Sequence, residues 1–371
     1  MTQQKKSGAP AKNKLAIDTP EFWDPQALLK EEQRQFDVCH SCRLCWNFCP
    51  AFPALFEKTD PVDGDTKKLS REAFRPVEDS CYQCKLCYIR CPYTEPHEYD
   101  LDVPRLLLRA QAVRAREEGL SRAERLLANT DSLFSLARAT APLSNVQPAP
   151  VRFVMEKTLG IDRRATLPKF HRQTFFEWFR STGEKLYRGL PPDAPKVVLF
   201  YTCYVNYNDP AVGIACAKVL AHNGIRGAAP KQQCCGMPYL DAGAPDLAKK
   251  KLSANVKVLA EAVRQGGDIV TPGPSCSLTL TQEYPQLDAS ADTKLVSEHT
   301  YDISEYLWKL KVENRLKRDF KKPMGKVAYH APCHLRQQFV GNKGGNLMEL
   351  IPDTEVEQIE RCSHHDGTWG I

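Results

Sequence analysis

Closely spaced cysteines carry most of the chemistry that this sequence can perform. Fifteen of its 371 residues are cysteine, and eight of them form two copies of the pattern C-x2-C-x2-C-x3-C-P. The first copy contains Cys39, Cys42, Cys45 and Cys49, and the second contains Cys81, Cys84, Cys87 and Cys91. Three thiolates at this spacing wrap a loop around one face of a metal cluster, and a more distant cysteine completes the ligand set. The pattern therefore predicts two [4Fe–4S] clusters.

The ligands of the two clusters are predicted to be exchanged between the copies. In proteins that carry two clusters on this spacing, the fourth cysteine of each copy ligates the other cluster. We therefore assign one cluster to Cys39, Cys42, Cys45 and Cys91, and the other to Cys81, Cys84, Cys87 and Cys49. Zinc or disulfides are weaker interpretations, because eight cysteines in two complete copies exceed what an isolated C-x2-C pair would need.

A second set of cysteines is more dispersed. It comprises Cys203, the doublet Cys234-Cys235 and Cys276. Two adjacent thiolates point in divergent directions and suit a site with several metal ions, and Gly236 allows the backbone to pass close to a ligand. Two interpretations stay open, a metal or cluster site and a group of buried structural thiols.

Three other cysteines carry weaker signals. Cys333 and Cys362 form a candidate metal pair that His334, His364 or His365 would complete. Cys216 lies among alanine and isoleucine in a predicted helix, so we expect it to be a core residue.

The elements that position these residues change along the chain. The segment between the two front copies predicts a short helix, a turn and another short helix, and the stretch after Pro104 predicts helices with a break near Gly119. From Lys196, strands alternate with helices, which is typical of a parallel α/β unit. Cys203 and Cys276 are predicted to end two of these strands, where open parallel sheets place ligands.

We therefore predict an α+β multidomain chain. Its helical two-[4Fe–4S] ferredoxin domain precedes two α/β repeats, and the second repeat is incomplete. The predicted boundaries are a flexible tail at 1–20, the ferredoxin domain at 21–104, a helical connector at 105–195, the first α/β repeat at 196–320 and the partial second repeat at 321–371.

Charge and hydropathy exclude several functions. Two four-thiolate clusters would lower the formal net charge of +6 to about +2, so nucleic acid is not an expected partner. The sequence contains neither a membrane span nor a secretory signal, which predicts a cytoplasmic protein. The arginine-rich segment at 105–125 could dock on an anionic membrane or an acidic partner, or could form a solvated helix face.

The whole pattern resembles the heterodisulfide reductase-related iron–sulfur proteins, whose signature is Cys-Cys-Gly, here at 234–236. The front copies resemble the helical ferredoxin module of succinate dehydrogenase and fumarate reductase. In the family, a complete repeat ends in C-x2-C and can hold a non-cubane cluster, whereas this chain has Thr279 in place of the last cysteine. The resemblance thus implies a third iron–sulfur centre as a candidate, with a four-thiolate cluster as one form.

The sequence contains no dinucleotide-binding fingerprint, P-loop or nucleophile elbow, so we expect no flavin or NAD and assign no catalytic residue. The resemblance implies an electron-transfer subunit that takes electrons from a partner flavoprotein dehydrogenase of the glycerol-3-phosphate or 2-hydroxy acid type. It would pass them to a quinone or another carrier, through a membrane anchor subunit or from a peripheral position on the inner face of the cell membrane. The alternatives are a thiol–disulfide reductase that works at the Cys-Cys-Gly site, and an electron adaptor for a soluble peroxide-reducing protein.

Overall fold

Helices make up the N-terminal part of the described chain, which we call the front. The computed structural model describes residues 15–361. The front helices are α1 Pro20–Trp23, α2 Pro25–Cys42, α3 Ala51–Thr59, α4 Arg71–Asp79, α5 Leu86–Arg90 and α6 Val103–Glu118. They enclose an apolar core that includes Leu28, Phe36, Phe56, Phe74 and Leu107. The helix–turn–helix predicted between the two cysteine copies is confirmed as α3, two 3-10 turns and α4.

Helix α6 is largely buried, and three of its arginines contact neighbouring residues of the front helices. Arg105 pairs with Asp102, and Arg109 donates to the carbonyl of Phe22. Arg114 pairs with Asp79. The side chains therefore hold the front helices together, because each guanidinium satisfies a neighbouring acceptor. Further along the predicted segment, Arg116, Arg122 and Arg125 are exposed, so a docking surface or a solvated face stays a prediction for that part.

Four further helices connect the front to the sheet. They are α7 Arg122–Ala128, α8 Thr130–Ala139, α9 Ala149–Leu159 and α10 Phe175–Ser181. The break near Gly119 is confirmed, and Ser121 and Glu124 form a capping box at the start of α7. This reciprocal pair satisfies two backbone N–H groups that a helix start leaves open.

A four-stranded parallel sheet organises the next part of the chain. Its strands are β1 Lys196–Leu199, β2 Arg226–Ala228, β3 Gly267–Thr271 and β4 Thr300–Asp302, in the spatial order β2-β1-β3-β4. The register pairs Val197 with Gly227 on one side and with Asp268 on the other. Alternate residues face two cores, since Val198 packs in one and Leu199 in the other.

Helices cover both faces of this sheet. They are α11 Cys203–Tyr207, α12 Pro210–His222, α13 Met237–Asp241, α14 Pro245–Arg264, α15 Pro274–Leu278, α16 Tyr284–Leu287, α17 Ala291–Glu298 and α18 Ile303–Val312. A π-helical turn, Thr279–Glu283, links α15 to α16. Such turns are rare and occur often at functional sites.

The last described part begins a second sheet. Strands β5 Gly325–His330 and β6 Thr354–Ile359 pair in parallel, and between them lie α19 Cys333–Gln337 and α20 Lys343–Met348. The predicted strand before Cys333 is therefore present. Between residues 15 and 361, no helix is both long enough and apolar enough to cross a membrane.

Candidate metal centres

The eight front cysteines line two cavities. One cavity is lined by Cys81, Cys84, Cys87 and Cys49; we call it the second front site. The other is lined by Cys39, Cys42, Cys45 and Cys91; we call it the first front site. Each cavity thus receives three thiols from one copy of the motif and the fourth from the other copy. Four thiol sulfurs around one cavity are the donor set that suits an iron–sulfur cluster.

Left-handed backbone at equivalent positions shapes the two cysteine loops. Arg43 and Lys85, which are 42 residues apart, have φ values of 53° and 59°. An L-residue rarely adopts this conformation, and here it follows the second cysteine of each copy and turns the chain sharply. The side chains then diverge, because Arg43 pairs with Asp60 at the surface whereas Lys85 is buried against Glu283.

The front thiols lie close enough to influence one another's protonation. Burial raises the pKa of Cys39, and the neighbouring Cys45, Cys91 and Cys42 raise it further. Burial and the same kind of neighbours raise the pKa of Cys45 to about 12. Thiols in this setting become thiolates only beside positive charge, which bound metal ions provide.

The dispersed cysteines also come together in space. Cys203, Cys234, Cys235 and Cys276 form a second kind of cluster, which we call the rear site. The Cys203 sulfur hydrogen-bonds with Cys234, an interaction that, with burial, raises the pKa of Cys203. Cys235 contacts both Cys234 and Cys276. Cys234, at the centre, has its pKa lowered by the hydrogen bonds with Cys203 and Cys235.

The strands end earlier than the sequence indicates. β1 ends at Leu199 and β3 ends at Thr271, so the prediction that Cys203 and Cys276 end strands is wrong. Cys203 instead begins α11, and Cys276 lies within α15. Both short helices follow the carboxyl ends of adjacent parallel strands, so the expected edge of the sheet still holds the thiols.

Residues from distant parts of the chain support the rear site, and the sequence analysis did not identify them. The Asp131 carboxylate accepts a hydrogen bond from the Cys234 N–H at 3.1 Å and pairs with Lys251. The Asn255 amide donates to the Cys234 carbonyl at 3.1 Å and to the Tyr284 hydroxyl oxygen at 3.2 Å. Asp131 and Asn255 lie 103 and 21 positions from Cys234, and neither has a spacing pattern that predicts the contact.

Thr279 does not take the place of the missing thiol, because its hydroxyl group does not face the sulfurs. The hydroxyl donates to the Ser275 carbonyl at 2.7 Å, within its own helical turn. Its side chain is fully buried. The rear site is therefore a four-thiol group among the described residues.

Two of the three weaker cysteine candidates, Cys333 and Cys216, lie within the described residues. Cys333 hydrogen-bonds with Cys84 and so lies beside the second front site. Cys362, His364 and His365 lie outside the described residues, and the predicted pair of Cys333 with Cys362 stays a prediction. Cys216 is buried in an apolar core, as expected, and burial raises its pKa to about 12.

A buried ion-pair network joins the front domain to the sheet domain. Glu283, at the end of the π-helical turn, pairs with Lys85 and lies 3.4 Å from Arg105. Arg105 also pairs with Asp102 at 2.7 Å. Burial alone would raise the pKa of Glu283, but the two cations outweigh it and hold the pKa at about 2. The carboxylate is therefore charged at neutral pH.

His334 occupies the same boundary. Its side chain is 6% exposed, and its two ring nitrogens lie 3.1 Å from the Gln83 carbonyl oxygen and 2.8 Å from the Ser275 hydroxyl oxygen. Burial lowers the pKa of His334 to about 4. The imidazole is therefore neutral at physiological pH.

Two family models match separate parts of the chain. Residues 32–119 match the citrate utilization protein B Fer4-like domain, and residues 197–281 match a cysteine-rich domain of the Cys-Cys-Gly type. The first range contains both front sites. The second contains all four cysteines of the rear site. Iron–sulfur cluster binding follows from these matches.

Curated relatives match between about half and two thirds of the chain. In Escherichia coli, the anaerobic glycerol-3-phosphate dehydrogenase subunit designated C is 31% identical over 253 residues, which is 66% of this chain and 62% of that protein. In Methanothermobacter marburgensis, the fumarate reductase (CoM/CoB) subunit designated B is 31% identical over 47% of this chain and 33% of its own length. Lactate utilization protein A of Bacillus pumilus is 28% identical over 47% of this chain and 75% of its own length.

The alignment thus spans less than two thirds of the glycerol-3-phosphate dehydrogenase subunit. No solved structure matches the chain. The order of a Fer4-like domain and a cysteine-rich domain, together with these relatives, confirms the resemblance seen in the cysteine pattern. The chain combines a Fer4-like domain with a Cys-Cys-Gly cysteine-rich domain and is similar to the subunit designated C of anaerobic glycerol-3-phosphate dehydrogenase.

Proposed function

We propose that this chain is an electron-transfer subunit with one [4Fe–4S] cluster in each front site and a third iron–sulfur centre in the rear site. The observation that carries the proposal is the pair of cavities, each lined by four thiols with one exchanged between the motif copies. A bound cluster supplies reversible one-electron chemistry. The protein's own residues supply thiolate ligands, exclude water and hold the three sites in one body.

The two front sites differ in their surroundings, which suggests a direction of docking. Leu44 lines the first front site and Trp46 follows Cys45 in the chain, and the two residues are 55% and 45% exposed. The second front site faces the sheet domain instead, where Lys85 meets Glu283. Exposed apolar residues next to a redox site suit the docking of a partner protein. We therefore propose that the partner delivers electrons at the first front site.

The partner that we propose is a flavoprotein dehydrogenase of the glycerol-3-phosphate or 2-hydroxy acid type, with a quinone or another carrier as the acceptor. The names of the relatives supply these substrate classes. The chain itself has no flavin or NAD fingerprint. With such a flavoprotein and its substrate present, the front clusters should become reduced, and Trp46→Ala should slow that reduction while leaving the iron content unchanged. Absence of reduction by either substrate class would reject this partner.

A thiol–disulfide reductase is the less favoured function. Catalysis on a disulfide requires an accessible sulfur, whereas Cys234 and Cys235 are each only 3% exposed. The burial favours a site that exchanges electrons with its neighbours over one that admits a substrate.

A peripheral position on an anionic membrane is proposed for the connector. Several large apolar residues are exposed there, including Leu136, Leu143 and Val146. Residues 122–172 also contain nine Lys or Arg against four Asp or Glu, which accounts for five of the six net positive charges. Basic and apolar side chains together favour binding to anionic lipid. Co-sedimentation with phosphatidylglycerol vesicles but not with phosphatidylcholine vesicles is expected, and equal recovery with both would contradict it.

Anaerobic purification followed by iron and sulfide analysis and EPR of the reduced protein tests the central proposal. About eight iron atoms per chain would fill the two front sites, and about twelve would add the rear centre. Stoichiometric zinc without iron would overturn the proposed function.

A further inference from the structure

His334 joins the second front site to the rear site. It belongs to α19, which packs between the front cysteine loop and α15 of the sheet domain. One ring nitrogen, Nε2, lies 3.1 Å from the carbonyl oxygen of Gln83, the residue before Cys84. The other, Nδ1, lies 2.8 Å from the hydroxyl oxygen of Ser275, the residue before Cys276. A single imidazole therefore contacts the residues that precede one cysteine of each site.

The chemistry of the two contacts fixes the tautomer. A carbonyl oxygen can only accept, so Nε2 must carry the hydrogen and donate it to Gln83. In the neutral ring Nδ1 is then an acceptor, and the Ser275 hydroxyl donates to it. The lowered pKa of His334 agrees with this neutral form. Both nitrogens are thus satisfied without a net charge at the domain boundary.

The segment that carries His334 makes another contact with the second front site. Cys333, the residue before His334, hydrogen-bonds with Cys84. Gln83 is itself held in a left-handed conformation with φ at 52°, and its amide N–H lies 3.5 Å from the Cys81 sulfur. A hydrogen-bonded path therefore runs from the Cys81–Cys84 loop through the imidazole to the side chain of Ser275, the residue before Cys276. Hydrogen-bond partners of metal-site residues orient the ligands and tune the metal.

We propose that His334 is a positioning residue that holds the second front site and the rear site in a fixed relation, so that electron exchange between the two sites depends on its imidazole. This inference rests on the proposed function. A single electron moves between the sites, no bond forms or breaks, and the ring keeps its one proton. With clusters bound, the thiols of the second front site would hold the electron donor and those of the rear site would hold the acceptor.

Three variants of the full chain test the inference. His334→Ala removes both hydrogen bonds, whereas His334→Gln keeps one amide donor and one carbonyl acceptor. His222→Ala is the matched control, because His222 pairs with Asp319 on the surface, with half of its side chain exposed. Each protein is reduced anaerobically with dithionite and frozen at set times, and EPR follows the front and rear signals separately. Iron content and the midpoint potential of the front clusters are measured on the same samples.

We expect His334→Ala to retain the wild-type iron content and to reduce the rear centre roughly 10-fold more slowly, the lower end of the loss of activity that follows removal of a partner bonded directly to a metal ligand. His334→Gln should recover part of the rate, and His222→Ala should match the wild type. Unchanged rates and front potentials in His334→Ala would overturn the inference. Equal loss of iron from both His334 variants would also overturn it, since it would indicate a purely structural role.

The wild-type measurement separates this inference from the proposed function. Eight iron atoms with no rear EPR signal would remove the acceptor, and the inference would fail while the front clusters remained. Zinc without iron in the wild type would overturn the proposed function itself.

Discussion

The front and rear cysteine sites reach similar donor sets by different routes. In the front, eight cysteines occupy two short motifs, and each cavity borrows one thiol from the other motif. In the rear, four cysteines spread over 74 positions meet because parallel strands bring the following helices to one edge of the sheet. Local spacing builds the first kind of site, and topology builds the second. The front sites should therefore depend on one another, and the rear site should depend on the fold around it.

The strongest effect should come from breaking the interlocked front sites. Cys49→Ser should remove about four of roughly eight front iron atoms, and the lost EPR signal should belong to the site of Cys81, Cys84 and Cys87. The fourth thiol of that cavity comes from the other copy. Iron analysis and EPR of the reduced protein measure the effect, with Cys216→Ser as a control that keeps all iron. Loss of the signal from the site of Cys39, Cys42 and Cys45 would contradict ligand exchange.

The next effect concerns the boundary between front and rear. Glu283→Ala should lower the free energy of unfolding by about 3–5 kcal/mol, because Lys85 loses its buried ion-pair partner and Arg105 keeps only its pair with Asp102. Guanidinium unfolding measures the change. Glu355→Gln, at an exposed pair with Lys326, should cost about 1 kcal/mol or less. Similar losses in both variants would show that the buried network does not join the two regions.

The same carboxylate gives a pH dependence with a definite sign. Its folded pKa of about 2 lies below the ordinary value of 4.5, so the stability from Glu283 is complete above pH 4.5. It is lost as the pH falls through about 2, because the unfolded chain binds the proton first. Unfolding followed from about pH 5 to about pH 2 should show a steeper loss in the wild type than in Glu283→Gln. Parallel curves would contradict this assignment.

A moderate effect is expected from a substitution that weakens the rear site and leaves the front sites intact. Asn255→Leu should cost about 1–3 kcal/mol, because the Cys234 carbonyl and the Tyr284 hydroxyl lose a buried partner. Iron beyond the front eight atoms should be lost, whereas the front EPR signals should stay. Gln265→Leu, exposed at the end of the same helix, is the control. Loss of front iron in Asn255→Leu would show that the rear site is not separately supported.

The last expected effect is on the pH dependence of stability, and it comes from a buried carboxyl group in the front core. Burial raises the pKa of Glu32 to about 8, and the charge of Glu78 adds to the shift. The folded state therefore keeps a proton that the unfolded chain releases above about pH 4.5, and this difference lowers stability as the pH rises towards 8. Glu32→Gln should gain stability relative to the wild type as the pH rises from about 4.5 towards 8, and the gain should vanish near pH 4.5. Thermal melts at several pH values, with exposed Glu57→Gln as the control, measure it.

The amino-acid sequence was sufficient to predict the two front motifs, the order of helical and α/β regions and the family. Motif spacing is local, so Cys39 to Cys49 and Cys81 to Cys91 indicate their chemistry whatever the path of the rest of the chain. Capping chemistry is local as well, which is why the break near Gly119 and the cap at Ser121 could be predicted.

The distant residues that meet at the sites could be identified only from the folded chain. Glu283 reaches Lys85 from 198 positions away, and His334 reaches Gln83 from 251 positions away. Both contacts depend on how the π-helical turn and α19 pack against the front domain, and no periodic or spacing signal encodes such packing. Cys333 shows the same limit, since nothing in its sequence context indicated that the fold places it against Cys84. Buried polar partners are selected by tertiary contact, because each must satisfy a group that folding has removed from water.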